Sequence, residues 1–212
     1  MTQKKLILFM PSIEGGGVEK NFFLISNFLA QKIKEVSLIT AEKNLSKKLK
    51  NINIIYPKSD KWRKKGRIRK YLICIFFLIS TLLKNRNTLV FSFQANLYAV
   101  LVCKLLGIKI ISRSNSSPSG WSKNIIKNLI YRIGLNLADK LIVNSVEFQK
   151  EMKKKFSVTA SQIYNPLNSK EIIKLSKKKI KNYFPKKSLK IINVGRLVDQ
   201  KDQITLLKAI NK

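Results

Sequence analysis

The chain has 212 residues and an apolar share of 45%, enough for a sizeable core in one large domain or one domain plus part of another. Its 43 Lys and Arg against 11 Asp and Glu give a net charge of +32. That charge is spread along the sequence with no arginine-rich arm, which argues against a nucleic-acid partner and leaves attraction to an anionic membrane surface or the codon bias of an AT-rich genome.

The first apolar run, LILFM, is far too short for a signal peptide and reads as a strand, Leu6–Met10. Further strands are expected at Val36–Thr40, Ile52–Tyr56, Thr88–Phe93, Ile108–Ser112, Lys140–Val143 and Leu189–Val194. Most are unbroken apolar runs, as parallel strands covered on both faces require. Helical periodicity lies between them. Val18, Phe22, Ile25, Leu29 and Ile33 form one stripe. The run YLICIFFLISTLL (71–83) is shorter than the ~20 residues that span a bilayer. It reads as a buried core helix or, given the basic KWRKKGRIRK before it, as a helix lying against anionic lipid. ANLYAVLVCKLLG is a further helix stopped by Gly107, and Ser122 is placed to cap another through KNIIKNLIYRIGLNLA. Alternating β and α segments predict an α/β, Rossmann-like, doubly wound and mostly parallel sheet. Cys74 and Cys103 sit in apolar runs, too few for a disulfide framework and suited to a reducing, cytoplasmic compartment.

The expected organisation is a domain over 1–164, a hinge or linker over 165–187 with a Pro-containing turn and a lysine-rich helix, and the start of a second domain over 188–212. The last segment repeats the opening design, a strand, a glycine and a helix at Gln203–Ile210.

Two stretches carry candidate chemistry. Gly15, Gly16 and Gly17 stand between a strand and a helix start. There, bare amides and the helix N-terminus suit an anion such as a diphosphate; a tight turn needing positive φ is the alternative. A dinucleotide fingerprint starting at Gly15 fails because position 20 is Lys20, and no Walker A loop occurs. Glu42, ending the second strand, leaves open a ribose-binding acid for a nicotinamide cofactor. In NVGRLVDQKD, Arg196 follows a strand end and Lys201 precedes a helix, a pairing suited to a doubly charged leaving group.

The order GGGVEK, FSFQANLYAVLVCKLLGIKIISRSNSSP, LADKLIVNSVEFQKEM, IYNPLN and NVGRLVDQKD resembles family 4 glycosyltransferases of the GT-B fold. The resemblance spans nearly the whole chain. It implies an N-terminal acceptor-side domain facing a donor-binding domain, the latter truncated here, with the family's paired glutamates falling beyond Lys212. By the same resemblance Gly16 and Gly17 reach over the donor diphosphate, Arg196 and Lys201 neutralise it as it departs, and Asn165 and Pro166 form the hinge core. Gln94, Asn96, Asn115 and Ser116 are acceptor-side candidates, with helix capping the alternative for Gln94 and Asn96. Trp121 is read as an acceptor-stacking ring or as packing. The family histidine after the fifth strand is missing, because the chain has none. In RSNSSP, Arg113 and Ser114 stand where a related triplet has an acid and an arginine.

The implied activity is a hexosyltransferase-type reaction. A sugar moves from a UDP- or GDP-type nucleotide-sugar to a glycan or lipid-linked acceptor in surface polysaccharide or lipopolysaccharide synthesis, retaining and metal-independent, with no cofactor. The expected location is cytoplasmic, at the inner face of the cell membrane. The alternative is a non-catalytic half-domain that binds an anionic membrane surface or acidic glycan.

Overall fold

The computed structural model describes residues 5–13, 15–43, 45, 47–64, 66–117, 121, 124–179, 189–195 and 197–211. The chain forms two compact units, Met1–Asn168 and Ser169–Lys212.

The first unit is built on seven parallel strands: β1 (Lys5–Phe9), β2 (Val36–Ile39), β3 (Asn53–Ile55), β4 (Thr88–Ser92), β5 (Lys109–Ser114), β6 (Lys140–Val143) and β7 (Ser161–Gln162). Their order is β3-β2-β1-β4-β5-β6-β7. Crossover helices are α1 (Gly17–Lys32), a short α2 (Lys61–Lys64), α3 (Arg67–Lys84), α4 (Asn96–Leu105), α5 (Ile125–Asn136) and α6 (Val146–Phe156). The order runs outward in both directions from β1 and β4. With right-handed crossovers, the two directions place helices on opposite faces, which is the doubly wound α/β, Rossmann-like arrangement.

Alternation along β1 shows the two faces. Leu6 and Leu8 pack in one core with Phe22 of α1, Leu38 and Phe91. Ile7 and Phe9 pack in the other with Cys74 and Leu78 of α3 and Ala99 and Cys103 of α4. Both faces of the central strands are therefore dry, which is why their sequences are continuous apolar runs. Leu135 of α5 and Met152 and Phe156 of α6 close a third cluster over β6. The run 71–83 is a core helix on one side: Cys74, Leu78 and Leu82 are buried at four-residue spacing.

Helix ends follow local chemistry. At the end of α4, Gly107 has φ 69, its N–H donates to Lys104 O, and Ile108 N–H donates to Cys103 O. This is the paired closure that a left-handed residue permits. The start of α5 differs from expectation. Ser122 lies outside the described residues, and Asn124 is the cap, its side chain accepting from Lys127 N at 3.1 Å.

Two strands also differ. β7 has no apolar run, and it forms because Val143 and Ile142 of β6 offer an edge to Gln162 and Ser161. The expected strand Leu189–Val194 is not formed. No strand for it to pair with occurs among the described residues of the second unit, and Leu189, Ile192 and Val194 are exposed. Unpaired strand edges and bare apolar side chains give an extended run nothing to hold it. The second unit contains α7 (Ser169–Ser176), a 3-10 turn Asp199–Lys201 and α8 (Gln203–Ile210). The side chain of Asp202 caps α8 by accepting from Thr205 N at 3.4 Å.

Candidate functional site

In an open α/β sheet a ligand crevice forms at the carboxyl ends of the strands, where successive connections leave in opposite directions. Here that point lies between β1 and β4. The loop after β1 carries the three glycines, and the loop after β4 carries Gln94. The two are tied together: Gln94 Oε1 accepts from Ser12 N at 2.8 Å, and Phe93 N–H donates to Phe9 O at 3.0 Å.

Among the glycines Gly15 has φ 86, a left-handed conformation costly for other residues. Gly16 is extended and occupies the N-cap of α1 without a side-chain cap hydrogen bond. The first-turn amides of α1 accordingly receive no side-chain oxygen from the cap position. A Cβ at Gly15 or Gly17 would meet nothing within 4 Å, whereas one at Gly16 would come within 2.9 Å of Glu19 Oε2. The turn is thus open to an incoming group at Gly15 and Gly17. Glu19 lies in the first turn and is an acid that an incoming anion would have to displace. Free amides at a helix start, at a switch point, with an exposed approach, suit a phosphate-type anion.

The other candidates fall into distinct places. Asn96 is fully engaged within the unit: its Nδ2 donates to Arg113 O at 2.9 Å and its Oδ1 accepts from Ser92 Oγ at 2.7 Å, stitching α4 to β4 and β5. Ser116 Oγ accepts from Trp121 Nε1 at 2.9 Å. Trp121 itself packs on Phe156 and Tyr131, with ring centroids at 5.6 and 5.2 Å, and is half-buried. Asn115 carries a buried Nδ2 without a hydrogen-bond partner among the described residues. Glu42, the candidate ribose acid, is held by Lys70 Nζ at 2.6 Å with both side chains largely buried; that pairing fixes the start of α3 to the end of β2 and leaves the carboxylate committed.

Arg196 lies outside the described residues. Lys201 is exposed and closes the 3-10 turn, its N–H donating to Val198 O at 2.9 Å. The glycine turn and Gln94 are brought together in the first unit, and Lys201 belongs to the second.

Sequence reasoning passed over the role of Arg113. Its side chain is only 2% exposed, and burial lowers its pKa from the usual guanidinium value. The Nη2 donates to Ile163 O and to Asn165 Oδ1, each at 3.0 Å. The end of β5 is thereby tied to the segment leaving the sheet after β7. An arginine inside an otherwise apolar and serine-rich strand was the available signal. A cavity of about 350 Å³ lined by Lys5, Glu35, Asn53 and Lys84 lies at the opposite, amino-terminal edge of the sheet. We assign the site on backbone geometry rather than on that hollow, because strand starts present no convergent helix N-termini.

The comparisons agree with this architecture. The family model of Glycosyltransferase Family 4 matches residues 15–171, while no curated protein matches the chain in sequence. The HepE protein of Anabaena, solved with UDP-glucose, is similar at TM-score 0.54 and 15% identity over 81% of this chain and 48% of its own. A glycosyltransferase from Rickettsia africae ESF-5 gives TM-score 0.54 and 15% identity over 82% and 49%. The lipopolysaccharide outer core galactosyltransferase WaaB, in its apo form, gives 0.51 and 15% over 77% and 46%. At these identities the likeness is one of fold, that of GT-B glycosyltransferases, and the chain spans about half the length of each. With more than half of its residues matched by the family model, the chain belongs to glycosyltransferase family 4.

Proposed function

We propose that the chain acts in the transfer of a hexosyl group from a UDP- or GDP-type nucleotide-sugar to a glycan or lipid-linked acceptor, in the synthesis of surface polysaccharide or lipopolysaccharide. The observation that carries this reading is the open glycine turn at the N-terminus of α1, braced across the switch point by Gln94. In such a reaction the bond between the anomeric carbon and the diphosphate oxygen breaks, an acceptor hydroxyl oxygen bonds to the same carbon, and the hydroxyl proton passes to the departing diphosphate. Negative charge collects on the departing diphosphate, and preorganised amides stabilise it without reorganising. The amides of Gly16 and Gly17 supply that field from the first unit. By the family resemblance, Arg196 and Lys201 are the cations we assign to neutralising a donor diphosphate, in a retaining reaction that uses no metal or cofactor.

On the acceptor side we assign Asn115, whose Nδ2 has no hydrogen-bond partner among the described residues, and Ser116 beside it, with Gln94 and Asn96 holding the loops that carry them. Residues 1–164 then form the acceptor-side domain, 165–187 the hinge and 188–212 the start of the donor-binding domain. The buried free thiols of Cys74 and Cys103 fit a cytoplasmic location. A UDP and GDP nucleotide-sugar panel, followed by calorimetry and by release of free nucleotide diphosphate, tests the proposal. We expect one nucleotide class to bind and Gly15→Val to weaken it by about tenfold or more. Equal, unmeasurable binding of every nucleotide-sugar would instead favour a non-catalytic half-domain that binds an anionic surface or acidic glycan.

A further inference from the structure

Arg113 is the largest of the fully buried side chains among the described residues, and it is charged. None of the described ion pairs includes it, and its Nε has no hydrogen-bond partner among the described residues. A guanidinium in such a place is costly, and an apolar side chain of like volume would serve a strand interior better. The compensation that the described residues provide goes through one nitrogen. Nη2 donates to Ile163 O and Asn165 Oδ1 at 3.0 Å and reaches Tyr164 O at 3.5 Å. The backbone beneath it is fixed as well, because Asn96 Nδ2 donates to Arg113 O at 2.9 Å.

The three acceptors belong to consecutive residues just past β7. Ile163 and Tyr164 are exposed, as is Asn165, so burial does not hold them. Ile163 N–H donates to Val143 O at 2.9 Å. Beyond that bond the pairing with β6 ends, and Arg113 takes over. The two sides of this contact stand unequally. Were the segment lifted away, its oxygens would hydrate at once, while the guanidinium would be left stranded in the core. The restoring free energy therefore lies on the arginine. Pro166, which follows, has no N–H to donate, and Leu167 is 80% exposed.

We propose that Arg113 is a positioning residue, a latch that makes residues 163–165 part of the rigid first unit and starts the joint toward the second at Pro166. The first unit ends at Asn168, so the latch grips the chain immediately before it departs. Asn115 and Ser116 follow Arg113 by two and three residues. The acceptor-side loop and the point of departure thus share one anchor, and neither shifts without straining the other. This inference rests on the hinge reading of 165–187 and sharpens it by placing Asn165 on the held side. Its test requires neither donor nor acceptor, so it stands or falls apart from the transfer reaction.

The experiment is limited chymotrypsin digestion of the full chain, read by mass spectrometry at two bonds. One follows Tyr164, inside the latched segment, and the other follows Leu167, beyond it. Both side chains are exposed, by 67% and 80%, and cleavage of either bond reports how often the local backbone opens. Digestion is repeated for Arg113→Met, Asn165→Ala and a control, Asp139→Asn, whose carboxylate ties Ile110 N and Lys104 Nζ elsewhere in the unit. In Arg113→Met, cleavage after Tyr164 is expected to rise by about tenfold or more while cleavage after Leu167 holds. Circular dichroism and the unfolding midpoint stay unchanged, because methionine fills much of the volume and removes a buried charge. Asn165→Ala removes only an exposed acceptor; it gives a smaller rise at the same bond and decides the matter should Arg113→Met misfold. Cleavage after Tyr164 equal in wild type and folded variants would overturn the proposal. So would a rise at both bonds shared by Asp139→Asn, which would reduce Arg113 to a general contribution to stability.

Discussion

The two strand–glycine–helix openings read alike in sequence and differ in structure. At the first, β1 is the centre of a seven-stranded sheet, with Leu8 and Phe9 fully buried and the glycines leading into a 16-residue helix. At the second, Leu189–Val194 is not a strand, its apolar side chains are exposed, and only the 3-10 turn and α8 follow. A strand is a relation between segments, so an apolar run becomes one only where neighbours complete its hydrogen bonds and cover its faces. Local capping is different. Asp202 caps α8 whether or not a sheet stands beside it, because the acceptor lies in the same turn.

The largest effect expected from this contrast is chemical. Burial pushes the thiols of Cys74 and Cys103, from α3 and α4 behind the first opening, up to about 12 from the ordinary value near 9. At pH 8 their native thiolate is about a thousandfold scarcer than that of an exposed thiol. Alkylation followed by mass spectrometry should leave both unlabelled until the fold is opened with denaturant. The sign for stability follows: the folded state holds these protons while the unfolded thiols lose theirs, so stability is flat below about pH 9 and declines above it. Rapid native labelling at pH 8 would show that the core on that face is open.

Next is packing. Leu8→Ala should cost about 2–5 kcal/mol in denaturant unfolding, while Ile192→Ala at the second opening should change stability by less than about 0.5 kcal/mol. Comparable losses would mean that the second run is buried after all. The glycines offer a finer version. Gly15→Ala forces a Cβ onto φ 86 and should cost about 1–2 kcal/mol. By contrast, Gly195→Ala meets Gln203 Nε2 and Lys201 Cγ at 3.5 Å, ordinary contact, and should be close to neutral. The smallest effect is that of Gln94→Ala. It removes the acceptor of Ser12 N at about 1 kcal/mol, with faster amide exchange confined to the loop after β1.

Much of this architecture was legible because strands covered on both faces carry short continuous apolar runs; β1 to β6 were found this way, whereas Leu189–Val194, a run of the same kind, forms no strand. β7 was not, since its two residues form only against the edge of β6. Within the site, the three glycines announced themselves, but the distinctive backbone belongs to Gly15 rather than to Gly16 and Gly17. The bond from Ser12 to Gln94 joins residues 82 apart, and Arg113 reaches 50 residues and more to Ile163 and Asn165. Contacts of that range are set by the winding of the sheet, which no local window contains. Trp121 illustrates the same point, as its ring packs on Phe156 of another helix.

The account rests on the amides at the start of α1 receiving the donor diphosphate. Its most direct measurement is a titration of the ¹⁵N-labelled chain with UDP and with GDP, following backbone amides by nuclear magnetic resonance. The largest displacements are expected at Gly15, Gly16, Gly17 and Val18, with a smaller response at Ser12. Unmoved glycine amides, while the nucleotide shifted residues at the other edge of the sheet around Lys5, Asn53 and Lys84, would contradict it.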